Sequence, residues 1–93
     1  MSQIVEQTSL SWEKTAKSKF EAMLLRIPMF HRNIAVLVVT KKAEQNARER
    51  GSHFIEEADI ILAFFSEVPM AFYSLMVRLL DEVGFNYHPF EPK

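Results

Sequence analysis

Four residues punctuate this chain and fix what it can become: Pro28, Gly51, Pro69 and Gly84. These are the only two glycines among the 93 residues, and the other two prolines, Pro89 and Pro92, lie at the C-terminal end. The residue before a proline is pushed out of the helical region, whereas a proline in the first helical turn costs nothing, because its missing N–H would be an orphan there. Pro28 therefore ends one helix and opens the next, and Pro69 opens the last. Glycine takes the left-handed conformation that stops a helix, which assigns Gly51 and Gly84 as two stops. This punctuation predicts an all-α, four-helix compact domain with helices over about 12–27, 29–50, 56–66 and 69–83, and a packed aromatic C-terminal tail. Residues 1–10 read as a flexible lead-in and 11–93 as a single helical domain.

Apolar spacing supports each segment. Trp12, Ala16, Phe20, Met23, Leu24 and Ile27 recur at intervals of three and four, one stripe on the first helix, with Ser11 as its expected N-cap and Glu13 in its first turn. The second helix carries Phe30, Ile34, Leu37, Val38, Ala43 and Ala47 toward an expected core. Val36 and Val39 make its first half apolar nearly all round, the mark of a helix central to the bundle or buried in a partner. Glu44 and Arg48 stand four apart with the acid first, the favourable order for a helical ion pair. The acidic trio Glu56, Glu57 and Asp59 opens the third helix, with Ala58, Ile61, Leu62 and Phe65 as its stripe, and Phe72, Leu75, Met76, Leu79, Leu80 and Val83 form that of the fourth. The aromatics of the tail, Phe85, Tyr87 and Phe90, are expected to pack back on the bundle. There is no strand pattern of any length.

With no cysteine, the chain has no disulfides, thiolate zinc sites, cysteine-ligated clusters or cysteine nucleophile. The N-terminus lacks the basic and apolar regions of a signal peptide, and the longest apolar runs, Ile34 to Val39 and Ile60 to Phe65, are far below the roughly 20 residues needed to span a bilayer. A cytoplasmic protein is the expectation. The net charge of −1 is unevenly spread: nine Lys/Arg against five Asp/Glu in residues 1–50, two against seven in 51–93. Such halves either steer a partner or pair with each other on the folded surface.

Chemistry-bearing residues are few. None of His31, His53 and His88 has a second histidine at helical spacing, so no metal site is expected, and no nucleophile–base order, phosphate loop or carboxylate pair supports acid–base catalysis. Arg26 and Arg32 flank the proline junction. They would either clamp a carboxylate or phosphate, to which guanidinium forks are suited, or serve the fold, by bonding the last carbonyls of the first helix or by pairing with Glu44 or an acid of the third helix. A flat ligand would find its wall among Trp12, Phe30, Phe65, Phe72 and Tyr87, although Met and Phe at helical spacing are first of all core.

Taken together, Trp12, Ala16, Arg26-Ile27-Pro28, Phe30, Arg32, Glu44, Ala47-Arg48, Gly51 and Ile55 resemble the small C-terminal helical domain of the B subunit of light-independent protochlorophyllide reductase, and stand-alone bacterial relatives of unknown function. Pro69, Gly84 and the aromatic tail extend the likeness to those stand-alone relatives. The Arg32-to-Glu44 interval is about one turn longer than in the subunit, and the cluster-holding cysteines and cofactor-bearing body are missing. The resemblance thus implies an accessory domain that contacts a redox partner or a tetrapyrrole, not an enzyme on its own. It places Arg26, Arg32, Phe30 and Trp12 as ligand- or partner-binding residues, with no catalytic residue, cofactor or metal of its own. A protein partner or a second copy fits the greasy second helix. The run Ala47-Arg48-Glu49-Arg50-Gly51, then Ile55 and Asp59, is also similar to the end of the central histone-fold helix, its loop and the last helix. That likeness implies a DNA-binding module as the alternative, which the net charge of −1 disfavours.

Overall fold

The computed structural model describes residues 10–91, so nearly all of the expected lead-in lies outside the described residues. The chain forms the four-helix, all-α domain. A two-residue strand β1 (Ser11–Trp12) precedes α1 (Lys14–Arg26) and α2 (Met29–Glu49); a second strand, β2 (Phe54–Ile55), leads into α3 (Glu57–Glu67). A 3₁₀ turn (Met70–Phe72) then runs into α4 (Tyr73–Glu82), and a second turn (His88–Phe90) ends the described chain.

The strands correct the expectation of no strand. β1 and β2 pair in parallel, Ser11 opposite Phe54 and Trp12 opposite Ile55. Two residues are too short to leave a period in the sequence. This pairing also displaces the expected cap: Ser11 lies in β1, and Glu13 caps α1 instead, its carboxylate accepting from the Thr15 and Ala16 amides at 3.1 and 2.8 Å. Those two amides hold the Glu13 carboxyl below its usual pKa.

Both glycines stop helices in the same way. Gly51 has φ +73°, and the Ser52 and Gly51 amides donate to Ala47 and Arg48 carbonyls; Gly84 has φ +92°, and Phe85 and Gly84 donate to Leu80 and Asp81. These are paired Schellman bonds, which satisfy carbonyls the helix leaves open. The second one turns the tail inward, so Phe85 and Tyr87 are buried as expected.

α2 packs most extensively on α3. Its buried stripe is Val39, Thr40, Ala43 and Ala47. The small side chains of Ala43 and Ala47 allow α3 close approach, where Ile60, Ile61, Ala63 and Phe64 are buried. Here the expected core needs correction: Phe30, Ile34, Leu37 and Val38 are exposed. At 100° per residue Phe30 and Ala43 fall on nearly opposite sides of one helix, and a half that is apolar all round gives no phase by which to choose. Leu62 on α3, Phe72 just before α4 and Leu75 on α4 are likewise exposed rather than core.

The two charge halves meet in ion pairs. Lys19 Nζ lies 2.9 Å from Glu57 Oε2, Arg26 Nε 3.5 Å from Glu82 Oε1 and Arg50 Nη2 2.7 Å from Asp59 Oδ2. Asp59 is buried, accepts two bonds from Arg50 and one from the Glu56 amide, and raises the Arg50 pKa further. Asn46 Nδ2 donates to the Asp59 carbonyl at 3.0 Å, so both ends of this residue tie α3 to the end of α2.

Candidate docking cleft

Two proline corners shape one open cleft. At Pro28 the backbone is extended (φ −52°, ψ 139°), turning the chain from α1 to α2; at Pro69 the same geometry (φ −59°, ψ 143°) turns it from α3 toward α4. The first corner is held by Arg32, while Arg26 bonds back within α1. Arg32 Nη2 donates to the Ile27 and Leu25 carbonyls at 3.0 and 3.3 Å, and Arg26 Nη1 donates to the Ala22 carbonyl at 2.9 Å. The second is held by Tyr73, whose hydroxyl donates to the Phe65 carbonyl.

Between the corners lies a cleft of about 510 Å³. Its floor is core: Met23, Val39, Phe64, Met76 and Leu79 are all buried. One lip is the first half of α2, with Phe30 78%, Ile34 63% and Val38 39% exposed. The other lip carries Phe72 and Leu75, 58% and 44% exposed. Only two lining side chains, His31 and Glu67, are ionisable. Phe30 stands against the His31 ring with centroids 4.1 Å apart.

The expected site residues do not gather in one place. Phe30 is on the cleft lip. Trp12 is on the other side of the bundle, stacked on Phe20 at 5.4 Å, and lines a separate cavity of about 90 Å³ with Thr40. The Trp12 Nε1 and Thr40 Oγ1 atoms are both buried without a protein hydrogen-bond partner. Arg26 and Arg32 do not line the cleft: Arg32 donates to the Ile27 and Leu25 carbonyls at the first corner, whereas Arg26 donates within α1 to Ala22 and pairs with Glu82. Of the five side chains suggested as a flat ligand's wall, Phe30 and Phe72 line the cleft, whereas Trp12, Phe65 and Tyr87 do not.

Sequence reasoning missed Ile34, Val38, Leu75 and Glu67 as surface of the cleft. The signal was the run Met29 to Val39, more apolar than a single buried face requires. Among the described residues no three His, Asp or Glu gather as for a metal ion, and no helix is long and apolar enough to cross a membrane.

Fold and cleft thus define an all-α domain with one wide apolar face left open. Set beside family models, curated proteins and solved structures, the chain matches none of them.

Proposed function

We propose that the chain is a small non-enzymatic interaction domain of the cytoplasm, and that the cleft between the proline corners is its working surface. A single observation carries the reading: five large apolar side chains, Phe30, Ile34, Val38, Phe72 and Leu75, line one cleft and remain open to solvent. Scattered exposed apolar residues are ordinary, but a contiguous set around a concave floor marks a place where something docks.

The lining chooses between occupants. A small-molecule site adds a small number of placed polar groups to an apolar lining, and in this cleft those side chains are His31 and Glu67. The tetrapyrrole suggested by the resemblance would need a cation for its propionates, and the arginines nearest in sequence face backbone carbonyls instead. An apolar protein surface suits the cleft better. The histone-like alternative draws on the long α2, its Gly51 stop and the short α3 with buried Asp59, but the open face of α2 is greasy rather than basic.

A fluorescent apolar probe, anilinonaphthalene sulfonate, tests the reading at low-micromolar protein. Wild type should brighten the probe, and the Ile34→Glu, Phe72→Glu double variant, with unchanged far-UV circular dichroism, should lose most of that signal. Equal brightening by both proteins would refute the cleft as the docking face. Titration with protochlorophyllide should give no shifted absorption band at tens of micromolar, and a gel shift with duplex DNA at low salt should show nothing; a band in either would favour the corresponding alternative.

A further inference from the structure

Resting on the reading of the cleft as a docking face, we propose that its occupant is a second copy of this chain, related by a two-fold axis, with the α2 ridge of each copy laid into the cleft of the other. Three observations point to a self-complementary surface. The first is area. Phe30, Ile34, Leu37, Val38, Phe72 and Leu75, at their observed exposures, present roughly 600 Å² per copy, so a two-fold contact that covered them all would bury roughly 1,200 Å² in total, the lower edge of the range for stable interfaces. That is the upper end of what an ordinary monomer leaves open in one patch, a size that is often functional.

The second observation is shape. α2 is at once the lip of the cleft and a ridge, since Leu37 is 53% exposed beside Ile34 on its outer flank. An isologous interface needs such a surface, one that supplies both the projection and the recess.

The third is charge. Of the side chains that line the cleft only His31, on the α2 lip, and Glu67, at the end of α3 on the opposite side, are ionisable, and no Lys or Arg lines it. Glu67 ends α3, where the helix dipole disfavours a carboxylate, and its side chain accepts from the Ser66 hydroxyl. Laying the α2 ridge of one copy over this lip of the other brings His31 and Glu67 together twice, once on each side of the axis.

Sedimentation equilibrium of the full chain from 5 to 500 µM tests the proposal. The expected result is a mass rising toward twice 10.8 kDa, with Ile34→Glu weakening association at least tenfold and Glu67→Lys at least fivefold, both variants keeping the wild-type circular dichroism. Wild type that stays monomeric at 500 µM overturns the second copy, and so does a dimer that both variants leave unchanged. The probe assay separates this failure from that of the docking reading. A monomer that still brightens the probe, with the signal lost on Ile34→Glu, refutes only the second copy as occupant; a monomer that does not brighten it removes both.

Discussion

The two halves of α2 are one continuous helix with opposite uses. From Val39 to Glu49 the buried side chains are a valine, a threonine and two alanines, and several of the other polar ones are engaged: Arg48 lies 2.6 Å from Glu44, Gln45 donates to Glu49, and Asn46 reaches the Asp59 carbonyl. From Met29 to Val38 the side chains are larger and greasier, yet Met29, Phe30, Ile34, Leu37 and Val38 are all exposed. Hydrophobicity and burial run in opposite directions along the same helix. The core is closed with small residues where α3 approaches, and the large ones are left where, among the described residues, no element covers them. Fold stability therefore explains the second half and not the first.

The comparison can be broken most sharply at the clamp on the second half. Asp59→Ala removes a buried carboxylate that accepts Arg50 Nε and Nη2 at 2.9 and 2.7 Å and the Glu56 amide at 2.8 Å. The expected loss is about 3 kcal/mol, the low end for breaking a buried pair, because half-exposed Arg50 recovers some hydration. Urea denaturation measures it, and a loss below about 1 kcal/mol would mean that the clamp does not hold this half. A smaller effect is expected at Ala43, which is fully buried against the core. Ala43→Leu should cost about 2 kcal/mol, because three added carbons must push α2 away from its neighbours. The same denaturation experiment reads it, and a neutral result would show slack where close packing is inferred.

The contrast between the halves also explains what the sequence could and could not disclose. Pro28, Gly51 and Gly84 each act on their own backbone, so the ends of α1, α2 and α4 follow from residue type alone. The Glu44–Arg48 pair is equally local. The face of α2 that is buried depends on where α3 lies, and α3 is set by Asp59 and Ile55, which reach back across the Gly51 stop. A run such as Ile34-Ala35-Val36-Leu37-Val38-Val39 is compatible with any phase, so the choice belonged to the tertiary contacts. The cap on α1 was lost for a related reason: β1 depends on pairing with residues more than forty positions away. The arginine corner was legible as one of two readings, and only the carbonyl distances distinguish them. The cleft needed both corners at once, and no local pattern couples Pro28 to Pro69.

The smallest expected effect lies at Phe30, and it separates the two halves most cleanly. Truncating a phenylalanine in a packed core costs about 3–5 kcal/mol, most of it from lost contacts and the cavity left behind. Phe30 is 78% exposed, so Phe30→Ala removes little that folding buried. At low-micromolar protein, where association is slight, the change in unfolding free energy should fall within about 0.5 kcal/mol, the range of ordinary surface substitutions. Deleting six heavy atoms at position 30 would then cost less than adding three at position 43. Repeating the measurement at several hundred micromolar adds a second reading. If a second copy occupies the cleft, wild type gains apparent stability with concentration by mass action and Phe30→Ala gains less. A dilute-solution loss above about 2 kcal/mol would instead place Phe30 among the residues that hold the fold, and the division of α2 into two halves would fail.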